Sequence, residues 1–247
     1  NREAFAPPLP WMLGLLSIIT LLLTPPVTMM VIQFSSQGNR SLPIVSVPEE
    51  QPKEQPAYLL TVRLHNQRSL RSAEQRQAIE DALAMAQEVC ALYPGLAVAI
   101  QERGLALVIS RAQTDGLTAV YASLLLQHLL REYETLGEFR CHLCHVISPK
   151  DPAEITAMAV DAIEEITNLE QNLTLASLAK AETALMTAEV FTDLDAEQRE
   201  WAQEFTHPIL EDLAPREAFY SVECLPKREQ RLSTGQADVV LGFNMAT

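Results

Sequence analysis

At 247 residues and 27.4 kDa the chain is long enough for one large domain, or for a smaller domain with appendages, and for a core of real size. It carries 32 acidic against 18 basic side chains, a formal charge of -14 and a pI near 4.8. That balance argues against nucleic acid as a partner, because such affinity comes from Lys and Arg neutralising phosphates. Eight glycines leave little for Gly-rich phosphate loops, and four cysteines (Cys90, Cys141, Cys144, Cys224) are too few for a disulfide-dense scaffold.

Residues Ala4–Asn39 carry no charged side chain. Within them Trp11–Ile32 (WMLGLLSIITLLLTPPVTMMVI) is mostly apolar and matches the ~20 residues needed to cross a ~30 Å hydrocarbon core. The run is longer than a signal-peptide core and lacks a small-x-small cleavage site behind a basic region. Residues 1–32 are therefore expected to hold a single membrane-spanning helix, with lipid as the partner of residues 11–32. Pro25 and Pro26 should kink its second half, and Trp11 is placed to anchor one interface. Arg40 and Lys53 outweigh Arg2 across the span, which points the C-terminal bulk to the cytoplasmic side of an inner (plasma) membrane. Residues 33–56, rich in Ser, Gln, Glu and Pro without helical periodicity, read as a tether.

The remainder reads as a domain over 57–226 and a tail over 227–247. Nearly all the net charge lies here, since residues 1–56 hold three basic and four acidic side chains. Tyr58–His65 (YLLTVRLH) is an expected strand. Ser72–Leu92 places Ile79, Leu83, Ala86, Val89 and Cys90 at helical spacing and ends at Pro94-Gly95. Leu96–Ile109 (LAVAIQERGLALVI) is two apolar runs around Glu102-Arg103-Gly104, a hairpin pattern with Gly in the turn. Leu117–Tyr133 is an amphipathic helix, Phe139–Ile147 (FRCHLCHVI) an alternating strand, and Ala153–Leu169 another amphipathic helix. Thr183–Leu194 reads as a strand followed by a helix, and Ala218–Cys224 (AFYSVEC) as a closing strand. The terminal ADVVLGFNMAT is left as either an edge strand or a partner-binding segment. The order β-α-ββ-α-β predicts an α+β sandwich of ferredoxin-like type.

Cys141-His142-Leu143-Cys144-His145 has the C-x-x-C-H spacing of c-type haem attachment and could also supply half of a zinc site. Cys141, Cys144 and His145 are thus candidate haem or metal residues. Alternation along a strand would, however, put Cys141, Leu143 and His145 on one face and His142 and Cys144 on the other. Otherwise no cofactor is expected. No P-loop, dinucleotide fingerprint, nucleophile elbow or His-Glu-x-x-His occurs.

Several strings resemble the class III adenylyl/guanylyl cyclase homology domain. Glu88–Ile109 (EVCALYPGLAVAIQERGLALVI) resembles its helix end, turn and hairpin. Leu175–Thr187 (LASLAKAETALMT), Ala188–Leu194 (AEVFTDL) and Ala218–Cys224 resemble the later strand, short helix and terminal strand. Diguanylate cyclase domains, with a similar core, are the nearest competing resemblance. The resemblance implies two metal-binding carboxylates, one ending the first strand and one in the hairpin, and those places fall at Arg63 and Arg103. Guanidinium groups have only donors and stay protonated, so neither ligates a cation. The family's ribose-binding and transition-state Asn and Arg fall at Glu170 and Thr174. A one-residue shift brings in only Glu102 as a usable ligand. A degenerate domain without cyclase activity follows, acting through a protein partner or homodimer, or as the output part of a membrane sensor. Two alternatives stand beside it: an anion- or nucleotide-binding regulatory domain using Arg63 and Arg103, and a redox protein using the C-x-x-C-H motif.

Overall fold

The computed structural model describes residues 55–133, 135–150, 152, 160–223 and 225–244. The expected membrane span, and all but the last two residues of the expected tether, lie outside them. Among the described residues no helix is long and apolar enough to cross a membrane.

Strand β1 (Gln55–Leu64) is buried almost throughout, which is why its sequence is a near-continuous apolar run rather than an alternation. It leads into helix α1 (Ser72–Leu92), where Glu74 accepts from the Arg71 backbone N–H at 2.8 Å and closes a capping box. Strands β2 (Gly95–Ile100) and β3 (Gly104–Ser110) form the expected hairpin. Gly104 is required there: its φ is +154°, and a Cβ would stand 1.9 Å from the Val62 carbonyl oxygen. Helix α2 (Gly116–Glu132) is capped by Asp115, whose carboxylate accepts from Thr118 N at 2.8 Å, and β4 (Phe139–Ser148) follows.

These elements give the strand order β2-β3-β1-β4, all antiparallel. Both helices cover one face, where Leu60, Val62, Leu107, Ile109, Leu125, Leu129 and Leu143 form the main core. This is the ferredoxin-like arrangement the element order predicts.

The sheet then extends. Helices α3 (Val160–Ile166) and α4 (Leu169–Leu178) cross the opposite face, burying Ile163, Leu169 and Leu173 against Leu59, Ala106, Val108 and Val146. The helix expected over Ala153–Leu169 is thus interrupted at Asn168. That side chain caps α4 by accepting from Gln171 N at 3.1 Å, so Leu169 begins a new helix rather than ending one. Strand β5 (Ala184–Thr187) pairs parallel to β4 and runs into the short helix α5 (Ala188–Thr192).

Three further elements have no counterpart in the sequence expectations: α6 (Ala196–Arg199), β6 (Ala202–Phe205) and α7 (Pro208–Leu213). Strand β7 (Phe219–Val222) inserts between β5 and β6, completing the order β2-β3-β1-β4-β5-β7-β6. The tail is not an edge strand. It forms helix α8 (Lys227–Asn244), which buries Ala237 and Val240 against the main core and is held by the Tyr93 hydroxyl donating to Gln236 Oε1 at 2.9 Å.

Candidate functional site: an arginine cluster at the hairpin end of the sheet

The alternation of β1 sends Ala57, Leu59, Thr61 and Arg63 to the α4 face. Arg63 stands opposite Gly104 on β3 and opposite Arg140 on β4. The hairpin turn is fastened to the end of β1, with Leu64 N donating to Arg103 O at 2.8 Å, so Arg103 lies beside Arg63. Its guanidinium forms an ion pair with Glu170 in the first turn of α4. A carboxylate is well placed there by the helix dipole.

Arg63 and Arg103 thus lie in each other's field with Glu170 as their close carboxylate, and Arg140 stands across the β1–β4 pair from Arg63. Arg63 donates to Gln67 Oε1 at 3.4 Å, and its pKa is lowered first by burial and then by the charge of Arg103, against the pull of Glu170. Arg140 has a buried Nε without a partner, and its Nη2 is 4.0 Å from the Glu138 carboxylate. Like charges set directly across a strand pair repel. The structure thus brings together the two arginines singled out in the sequence and adds a third, Arg140. No sequence signal marked it, because its place depends on the β1–β4 register. Glu170 binds Arg103, and the Thr174 hydroxyl donates to the Glu170 carbonyl at 2.8 Å, an ordinary back-bond within the helix.

The C-x-x-C-H residues are not brought together. Cys141 and Leu143 enter the main core on the α1/α2 side, whereas Cys144 packs on the α4 side. Burial pushes the Cys141 thiol up, and raises Cys144 to about 12 with help from Glu217 and Glu189, so both stay protonated at neutral pH. A haem or zinc ion needs both sulfurs on one side, and this strand does not fit either. Among the described residues no three His, Cys, Asp or Glu side chains are grouped to hold a metal ion. Burial lowers His142 to about 3, opposed by the neighbouring Asn172 amide, so its imidazole is neutral.

His145 belongs to a second polar centre that sequence reasoning missed. Asp193, at the C-terminal end of α5, accepts from the Tyr58 hydroxyl at 2.7 Å and from Arg111 Nη2 at 2.7 Å. His145 Nε2 lies 2.8 Å from the same carboxylate, and its Nδ1 is 3.6 Å from Glu189. The phenol pKa of Tyr58 is raised, chiefly by burial and then by Asp193. These four residues come from β1, the end of β3, β4 and α5, separated in sequence by as many as 135 positions.

No family model matches the chain, and no curated protein does. Among solved structures, the guanylyl cyclase Cya2 is 12% identical with a TM-score of 0.49, over 70% of this chain and 94% of that one. An adenylate cyclase from Trypanosoma brucei is 14% identical with a TM-score of 0.47, over 74% and 95%. The adenylyl cyclase CyaB from P. aeruginosa is 11% identical with a TM-score of 0.45, over 70% and 96%.

Proposed function

We propose that the chain is a cyclase-homology module that has lost nucleotidyl cyclase chemistry and works through contact with a protein partner, a second copy included. In this reading residues 11–32 hold it at the inner (plasma) membrane, with the domain on the cytoplasmic side. The fold class and the sequence strings support the cyclase-like part. The observation that carries the rest is the convergence of Arg63 and Arg103, at the places where the resemblance puts metal-binding carboxylates. Phosphoryl chemistry on a nucleotide needs divalent cations held between such carboxylates. Guanidiniums at that spot repel a divalent cation, and the nearest acid, Glu170, is taken up by Arg103.

The test uses the full chain in lipid nanodiscs with ATP or GTP and Mg²⁺ or Mn²⁺. The expected result is no cyclic nucleotide and no cyclic dinucleotide. Turnover that disappears in Glu102→Gln would overturn the reading, since Glu102 is the one acid in the hairpin turn. A second reading, an anion-binding regulatory domain, is favoured by Arg140 joining Arg63 and Arg103 on one face. The acidic surroundings lower the local concentration of any anion. No thermal shift with ATP, GTP or inorganic phosphate is therefore expected at physiological salt. A rise of several degrees that is lost in the Arg63→Ala, Arg103→Ala double variant would make ligand sensing the function.

A further inference from the structure

A cleft of about 380 Å³ opens on the α4 side of the sheet, beside the C-terminal ends of the parallel strands β4 and β5. Its floor is set by register. His142 lies opposite Leu185 and Leu143 opposite Met186, which places Cys144 level with Thr187 and points His142, Cys144 and Thr187 to one face. Asn172 and Leu175 of α4 form the roof, and Glu189, Arg216 and Glu217 stand at the rim. The volume falls in the range of sites for small organic ligands.

The polar groups of the floor are incompletely used. Both ring nitrogens of His142 are buried and unpartnered, as is the Thr187 hydroxyl. His142 itself is 0% exposed. Asn172, beside His142, is largely engaged elsewhere: its amide donates to Thr167 Oγ1 at 2.8 Å and to the Asn168 carbonyl at 2.9 Å, and its oxygen accepts from the Cys144 thiol at 3.2 Å. Buried polar side chains in folded proteins are nearly always hydrogen-bonded, so several orphaned atoms around one cavity mark a place for an outside partner.

We propose that this cleft binds a small uncharged ligand through a carboxamide or lactam edge. A neutral imidazole offers one N–H donor and one bare nitrogen acceptor, and a hydroxyl offers one of each. The adjacent N–H and C=O of an amide meet that set with matching donors and acceptors. A carboxylate brings acceptors only, and at the rim it meets two carboxylates, Glu189 and Glu217, against the one guanidinium of Arg216. An ammonium group brings donors only and loses its hydration on a floor with no charged group. Apolar atoms of Leu175, Ala188 and Ala218 complete the wall and accommodate a ring attached to the amide. This reading is independent of the arginine cluster and of any loss of cyclase activity. It gives His142 and Cys144 of the C-x-x-C-H string a role that involves no metal.

The experiment titrates the full chain in nanodiscs with benzamide, benzoate and benzylamine, observed by saturation-transfer NMR and by the ¹⁵N resonances of labelled histidine. Benzamide is expected to bind at least about tenfold more tightly than either charged probe and to move the His142 imidazole resonances. Thr187→Val, which keeps the volume and removes the hydroxyl, should weaken benzamide several-fold, and His142→Leu should abolish its binding. If His142→Leu does not fold, Thr187→Val decides. Equal affinity for the three probes, no binding of benzamide up to about 10 mM, or affinity unchanged in Thr187→Val would each overturn the assignment.

Discussion

The two polar centres on this sheet have opposite bookkeeping. At the hairpin end, Arg103 binds Glu170, Arg63 bonds only to Gln67, Arg140 has Glu138 at 4.0 Å, and part of their hydrogen-bonding capacity goes unused. At the other end, a single carboxylate, Asp193, takes the Tyr58 hydroxyl, the Arg111 guanidinium and the His145 ring. The second centre is saturated and half-buried, and it ties β1, β3, β4 and α5 together, so it reads as a structural clasp. The first is unbalanced and more open, so removing a cation there relieves repulsion instead of breaking a network. Charge clusters that look alike in sequence separate by whether each donor finds an acceptor.

The largest expected effect comes from breaking the clasp. Asp193→Ala leaves the buried Tyr58 hydroxyl, Arg111 and His145 without their common partner, and should cost about 2–4 kcal/mol in urea-melt stability. Arg103→Ala at the opposite end removes a partly exposed pair and should cost less than about 1 kcal/mol. Equal losses in the two variants would show that the contrast between the centres is not energetic. Gly116 adds a check on the packing, since a Cβ there would stand 2.7 Å from the Asp193 Cβ. Gly116→Ala should therefore lower stability in the same direction as Asp193→Ala.

Much of the ferredoxin-like half was legible because each element carries its own local signal. The boundaries of α1 follow from apolar spacing and the Pro94-Gly95 stop, and the hairpin from Gly104 in its turn. The later elements were not legible for equally local reasons. Strand β6 is four residues long with two exposed positions, Gln203 and Glu204, and offers too little alternation to count. Helix α8 hides its buried positions, Ala237 and Val240, inside an apolar run that also suits a strand. The arginine pair could be singled out through resemblance, but Arg140 and the Asp193 clasp could not. Their partners are set by register and by contacts between residues tens of positions apart, which no spacing rule in one sequence encodes. The split of Cys141 from Cys144 was readable, because it follows from strand alternation alone.

A middle-sized effect lies between the two centres, on the same strand that serves both. His142 is buried and neutral with a pKa lowered to about 3, whereas in the unfolded chain it takes a proton near pH 6.5. Between those values the unfolded state binds a proton that the folded state does not, so stability falls as pH drops below about 6.5, by on the order of 1 kcal/mol per pH unit. His142→Leu removes this titration, and its stability should fall less steeply over the same interval than that of the parent chain. An unchanged slope would show that His142 is reached by solvent or is charged in the fold.

The smallest effect sharpens the account of the unbalanced end. Arg63 faces Arg140 directly across the β1–β4 pair and lies in the field of Arg103, with only Glu170 opposing. Replacing it by glutamine keeps most of the stem, and with it the packing that a long side chain contributes. It removes one of three like charges. Arg63→Gln should therefore be neutral or stabilising by up to about 1 kcal/mol, with the gain shrinking as salt rises and screens the repulsion. Glu170→Gln takes away the counter-charge of Arg103 and should be destabilising by a similar amount, again most clearly at low salt. The pair is best measured together at about 20 mM and about 500 mM ionic strength, because screening over that range shortens the Debye length from about 20 Å to about 4 Å. Opposite signs that converge at high salt support a cluster governed by mutual repulsion. Destabilisation by Arg63→Gln at both salts would instead mean that its bond to Gln67 and its buried stem outweigh the charge, and that the cluster is a second clasp.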